Sequence, residues 1–275
     1  MLGKLIRHEW KATYKFFAVV VLFLAAMTVL GRVSLRTIFG FSDYDGEWLS
    51  AESRIALTSL LLYVATLIGV TIGMGIYLGL RFYQSMYSGE GYLTHTLPVH
   101  PHKLLLSKLL VGGSWYALMA LFVGISGIVL VCSLPWYGNQ TLWLYLKSNP
   151  GSLDEILRAI YGKDMNLAGI VALSVLQLVV LGFSGTMSLY GAVTLGQLSS
   201  RHRIMMAVVC YLGLNLATSF LSSLLVMPAL LRSSFFFGIA SMASANSYHM
   251  AFSLVTAAVL YVVSYLIITR KLNLE

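Results

Sequence analysis

Six stretches of the chain contain no Asp, Glu, Lys or Arg: residues 16–31, 55–80, 109–146, 165–200, 204–231 and 233–269. A helix needs roughly 20 apolar residues to cross the hydrocarbon of a bilayer, and all but the first stretch exceed that length. The first is shorter, but Lys15 and Arg32 flank it, and their stems can snorkel to the two headgroup layers. The pattern predicts six transmembrane helices, at 16–31, 57–80, 109–134, 167–195, 204–227 and 249–269. The rest of the third window, PWYGNQTLWLYL, opens on Pro135 and carries the Trp and Tyr expected at a membrane interface.

The polar pieces between these windows predict their own elements. Within residues 1–15, Lys4, Arg7, His8, Lys11 and Lys15 share one helical face, and Leu2, Leu5, Ile6 and Trp10 the other. This predicts an amphipathic helix lying along the membrane surface. Glu9 sits in the middle of its apolar side. Two readings are open: the carboxylate reaches out of a shallow interface, or it pairs with a basic group on another helix or on a partner subunit. Residues 87–110, YSGEGYLTHTLPVHPHKLLLSKLL, are turn-rich and broken by Pro98 and Pro101. Three histidines lie there, at 95, 100 and 102, but the two prolines interrupt them, Glu90 is the segment's one carboxylate and it has no cysteine, so a docking surface for a soluble partner explains the segment better than a metal. Residues 147–164 predict a short helix with Ser152 as N-cap and Glu155 three residues on. Residues 228–248 are too short and interrupted to span twice, and read as an outer re-entrant hairpin. In the second span, Gly69/Gly73 and Gly75/Gly79 have the spacing that lets membrane helices approach closely.

Composition agrees with the pattern. Hydrophobic residues make up 58% and charged residues 10% of the 275-residue chain, against about 25% charged in a soluble domain. No small-x-small cleavage pattern leads into a polar segment after the first window, so the N-terminus reads as an uncleaved helix. Cys132 and Cys210 fall in apolar windows and offer neither a disulfide framework nor metal spacing.

Charge sets the orientation. With the N-terminus inside, the inner segments carry eleven basic residues against three acids, Glu9, Glu90 and Glu275, while the outer segments balance. The whole net charge of +8 therefore falls on the cytoplasmic side, as the positive-inside bias requires. A charge bias that tracks loop parity is a topology signal, so the basic balance does not point to nucleic acid.

Chemistry is sparse. No Asp, Glu, Lys or Arg falls inside a predicted span, which weighs against an ion-coupled transporter or an intramembrane enzyme. Gln177, Asn215 and Thr218 are the strongest polar candidates at membrane depth, and His249 lies near an outer end. A P-loop requires G-x-x-x-x-G-K-[ST]; the nearest approach, Gly162-Lys163-Asp164, has Leu157 in place of the first glycine. Any uphill transport must draw its energy from another polypeptide.

The pattern Glu90-Gly91-Tyr92-Leu93-Thr94, His95, Thr96-Leu97-Pro98, followed by Lys103-Leu104-Leu105 and Ser107-Lys108, resembles the cytoplasmic coupling segment of ABC-2-type permeases, the membrane subunits of bacterial ABC exporters. The likeness extends to the basic N-terminal helix, the short turn GQLSSRHR and the basic end. It implies an all-α integral membrane fold of the ABC-2, type V exporter kind: six spans, an N-terminal interfacial connecting helix and both termini cytoplasmic, in the bacterial cytoplasmic membrane. It further implies two copies of a separate ATPase, which bind the ATP and Mg, and a second permease subunit, identical or different. No cofactor is expected in this chain, which is not itself an enzyme. Residues 87–108 would form the coupling segment, with Glu90, Gly91, Tyr92, Leu93, Thr94, His95, Thr96 and Leu97 docking on the ATPase. Arg7, Glu9, Trp10 and Lys11 would form the connecting helix beside it. Gln177, Asn215 and Thr218 would line an apolar path for a hydrophobic or amphipathic cargo such as a peptide toxin or antimicrobial peptide. The alternative is an ATP-independent membrane immunity protein that sequesters a toxic peptide.

Overall fold

The computed structural model describes residues 2–40, 51–88, 91, 100–137, 140–149, 151, 167–199, 202–232 and 240–270. Its elements are α1 (Leu2–Gly40), α2 (Ala51–Tyr87), α3 (Pro101–Val131), a ribbon of β1 (Pro135–Tyr137) and β2 (Gln140–Thr141), α4 (Leu142–Ser148), α5 (Leu167–Gly196), α6 (Arg203–Arg232) and α7 (Ala240–Arg270). Among the described residues six helices are long and apolar enough to cross a membrane, over Leu2–Arg36, Arg54–Tyr87, Pro101–Val131, Ala168–Gly196, Arg203–Leu225 and Ser247–Arg270. The chain is a multi-pass helical membrane protein.

The helices overrun the charge-free windows, because a window bounded by charges marks the hydrocarbon and not the end of the hydrogen-bonded ladder. α1 runs unbroken from Leu2 to Gly40, so no break in the helix separates residues 1–15 from 16–31. Between Lys4 and Leu30 there is neither glycine nor proline to stop it. α3 begins at Pro101, a favoured first helical residue, and ends at Val131 rather than 134. Residues 228–232 continue α6, and α7 already begins at Ala240, so much of the expected hairpin at 228–248 belongs to the two helices. The expected short helix capped by Ser152 lies outside the described residues.

Two compact units divide the chain. One comprises Met1–Thr13, Met74–Leu118 and Leu157–Glu275, the other Tyr14–Gly73 and Met119–Ile156. In the first, α5 packs against both α6 and α7. Its core joins Phe82, Met86 and Tyr87 of α2 and Leu105 of α3 to Met187, Tyr190 and Val193 of α5 and Leu260 and Ile268 of α7. Phe82 stacks on Tyr190 with ring centroids 4.1 Å apart. The face of α6 that carries Leu212, Leu216 and Phe220 stays exposed, the stable arrangement where the surrounding solvent is itself apolar.

Close backbone approach occurs where the glycine spacing did not point. A Cβ on Gly69, Gly73 or Gly75 would meet nothing, and on Gly79 only Leu189 at ordinary contact distance. On Gly182 of α5 it would strike the backbone oxygen of Gly113 at 2.7 Å and the nitrogen of Ala117 at 2.9 Å, and on Gly196 the Cα of Ala207 at 2.7 Å. Only glycine permits the α3–α5 crossing and the α5–α6 turn.

The second unit is pinned by hydroxyls around Leu35, Tyr63 and Leu130. Thr28 Oγ1 donates to Leu24 O at 2.7 Å, so in its 2.8 Å bond with Ser126 the serine must donate. Tyr63 OH then donates to Ser126 Oγ at 2.6 Å. The result is a buried, fully satisfied chain across α1, α2 and α3. Ser34 and Ser59 form a second hydroxyl pair between α1 and α2.

Candidate functional site

Leu5, Ile6, Glu9, Trp10 and Thr13 share one face of α1, at the i, i+3, i+4 spacing. That face is not given over to the membrane surface. Trp10 stacks on Trp115 of α3, centroids 4.4 Å apart, and Trp115 Nε1 donates to Thr13 Oγ1 at 2.9 Å. Between these contacts the Glu9 carboxylate meets Lys108 Nζ at 2.6 Å and Arg81 at 3.7 Å. Of the two readings left open for Glu9, pairing with basic groups on other helices is the one observed. Arg7 and Lys11 are exposed on the opposite face.

The burial of this cluster is graded. The Lys108 side chain is 6% exposed, Glu9 18% and Arg81 30%. The Lys108 ammonium is buried in protein, and a buried ammonium is stable only when paired. A cavity of about 20 Å³ adjoins the cluster, lined by Glu9, Arg81, Lys108 and Tyr190 among others. The buried Nε of Arg81 faces no acceptor among the described residues.

Arg81 and Lys108 sit on the two helices that flank residues 88–100. The end of α2 is held by Tyr87, whose hydroxyl donates to Thr194 Oγ1 at 3.3 Å. The start of α3 is held by buried Leu104 and Leu105 and by the 2.6 Å bond between Tyr261 OH and His102 Nδ1. Of the expected docking residues, only Gly91 is described. Its N–H donates to Ser88 O at 2.7 Å, and a Cβ there would lie 2.6 Å from Met86 O, so a side chain cannot be added without moving the turn. Glu90, Tyr92, Leu93, Thr94, His95, Thr96 and Leu97 lie outside the described residues.

A second feature is a cleft of about 220 Å³ among α3, α5, α6 and α7. Asn215 and Thr218 line it; Gln177 does not. An apolar path was expected, whereas this wall mixes many hydroxyls and one amide with apolar surface. α6 contributes Tyr211, Asn215, Thr218, Ser219 and Ser222, α7 contributes His249, Ser253 and Thr256, and α5 contributes Ser184 and Ser188. The signal was present in the sequence as three polar stripes at helical spacing, but each alone is a common pattern in membrane helices, and only the packing shows that they converge.

No family model, curated protein or solved structure matches the chain.

The two features differ in chemistry. The Glu9 cluster is an ionic tie between helices. Among the described residues the cleft carries no Asp, Glu, Lys or Arg, and its lining exchanges hydrogen bonds or stacks rings. Among the described residues no three His, Cys, Asp or Glu side chains converge to hold a metal.

Proposed function

We propose that this chain is the membrane-spanning permease subunit of an ABC-2-type exporter in the bacterial cytoplasmic membrane, driven by a separate ATPase. The observation that supports this best is the Glu9 carboxylate, shared between Arg81 on α2 and Lys108 on α3. It ties the N-terminal turns of α1 to both helices that emerge from residues 88–100. A force applied to that segment by a soluble partner would reach α1, α2 and α3 together, the rigid-body transmission that an ATP-driven closure requires. Tyr87, Leu104 and Leu105, buried at the two helix ends, keep the lever stiff. The reading carries two ATPase copies, which hold ATP and Mg, and a second permease subunit. The open face of α2 at Gly69, Gly73 and Gly75 is compatible with a second helix. The cargo is amphipathic, and its polar part is met by the cleft at Asn215 and Thr218.

The test is purification of the chain from its native membrane, with an ATPase assay on what accompanies it. A stoichiometric P-loop partner, lost on Glu90→Ala with Tyr92→Ala, is expected. A chain that purifies alone and keeps its function in that double variant sinks the exporter reading and leaves the sequestering protein in its place.

A further inference from the structure

We infer that the cleft among α3, α5, α6 and α7 binds the neutral, polyhydroxylated head group of an amphiphile, such as the sugar of a glycolipid. The cleft follows α6 from Tyr211 to Ser222, about 16 Å at 1.5 Å per residue, half the thickness of the hydrocarbon. On α7 it reaches from Thr256 to His249, close to Ser247 where that span begins. It therefore runs from mid-membrane to one membrane face. Its volume of 220 Å³ is far above the ~10–15 Å³ that a single water needs.

The hydrogen bonds within the helices set what the wall can offer. Ser188, Thr218, Ser222, Ser253 and Thr256 each donate their proton to a carbonyl of their own helix, at 2.7 to 3.0 Å. Their lone pairs remain, so these five act as acceptors. Donors come from elsewhere. The hydroxyls of Tyr116, Tyr211 and Ser219 hold no hydrogen bond to another described residue, and Asn215 uses one of its two N–H groups on Tyr211 O at 2.8 Å. Acceptors and donors thus face one volume, the condition for binding hydroxyls, each of which both gives and takes.

Charge decides between head groups. Among the described residues the lining has no carboxylate to pair an ammonium and no Lys or Arg to pair a phosphate or sulfate; an unpaired ion at membrane depth is strongly disfavoured. A neutral head escapes that penalty. An extended peptide is neutral too, but its amides lie along one line at about 3.3 Å per residue, whereas these donors and acceptors face the cleft from α3, α5, α6 and α7 around it. The rings of Tyr116, Tyr211 and Phe252 add flat apolar faces. The neighbouring exposed Leu212 and Leu216 of α6 give an alkyl tail a surface to follow. As ligand, this molecule needs no ATPase; as transported cargo, it rests on the exporter reading.

The full chain in phosphatidylcholine nanodiscs is titrated calorimetrically with octyl glucoside, octylammonium, octyl sulfate and N-octanoylglycinamide, below their micelle concentrations and against empty discs. Saturable binding of octyl glucoside alone is expected. Asn215→Leu should abolish it, and the isosteric Thr218→Val should weaken it about two- to tenfold, with helical circular dichroism unchanged. Equal uptake of all four amphiphiles, or binding that neither variant alters, means partition into lipid and overturns the proposal. Tighter saturable binding of the amide, the ammonium or the sulfate overturns it as well, by assigning the cleft to that chemistry. If Asn215→Leu does not fold, Thr218→Val and Thr256→Val decide. Because no ATPase enters, a negative result here leaves the co-purification test untouched.

Discussion

Glu9→Gln keeps the shape of the side chain at the centre of the ionic tie and removes its charge. Lys108, 6% exposed, is then left without its carboxylate and beside a second cation, Arg81. At 2.6 Å the lost attraction is about 6 kcal/mol in an effective dielectric near 20. Part of this returns as the groups rehydrate, because Glu9 and Arg81 keep some access to water. The net loss should fall near ~3 kcal/mol, the lower end of what breaking a buried pair costs. Lys108→Met should cost less, about 1 to 2 kcal/mol, because Glu9 retains Arg81 at 3.7 Å and some solvent. Combining the two removes both members of the closest pair, so the double variant should recover most of the larger loss. The assay is equilibrium unfolding in mixed micelles, followed by tryptophan fluorescence. The stacked Trp10 and Trp115 report directly when α1 leaves α3. A coupling energy of at least ~2 kcal/mol is expected across the cycle. Additivity within about 0.5 kcal/mol would show that the two charges do not sense each other, and would remove the tie between α1 and α3.

Three further substitutions probe other parts of the same frame. Ser126→Ala leaves the buried Tyr63 hydroxyl without its acceptor and Thr28 without a donor, and should cost about 1 to 3 kcal/mol in the same unfolding assay. Gly182→Ala drives a Cβ into the backbone of α3 and should destabilise by 1 to 3 kcal/mol or more; Gly73→Ala, with open space around it, should be neutral or stabilise by up to ~1 kcal/mol. Equal effects of the two glycine variants would refute the assigned crossing. Gly91→Ala should displace the turn after α2, because its Cβ would lie 2.6 Å from Met86 O. Faster proteolysis within residues 88–100 checks this, and an unchanged digest would count against it.

Much of this architecture is legible in the sequence. Six charge-free windows correspond to six long apolar helices because a charge in hydrocarbon is so unfavourable that its absence over 20 residues is diagnostic. Helix ends were less legible. α1, α2 and α3 all continue past Lys15, Arg81 and Lys108, since a helix needs only its own backbone partners and tolerates a charge that finds a counter-ion. Asn215 and Thr218 were identified as polar groups at depth, while the character of their surroundings was misjudged, because the serines beside them are contributed by three different helices.

By itself, the sequence determined which segments are long and apolar enough to cross a membrane, and roughly where they lie, because solvation by lipid acts on each segment separately. It also marked Glu9 as misplaced on its own helix. Only the tertiary structure decided who answers that charge: Arg81 and Lys108 lie 72 and 99 residues away along the chain, and nothing in their local pattern points to residue 9. The glycines divide in the same way. The spacing at Gly69 and Gly73 is visible to any reader of the sequence, yet the helices meet at Gly113 and Gly182. Close approach is a property of two surfaces at once, and a one-dimensional pattern carries only one of them.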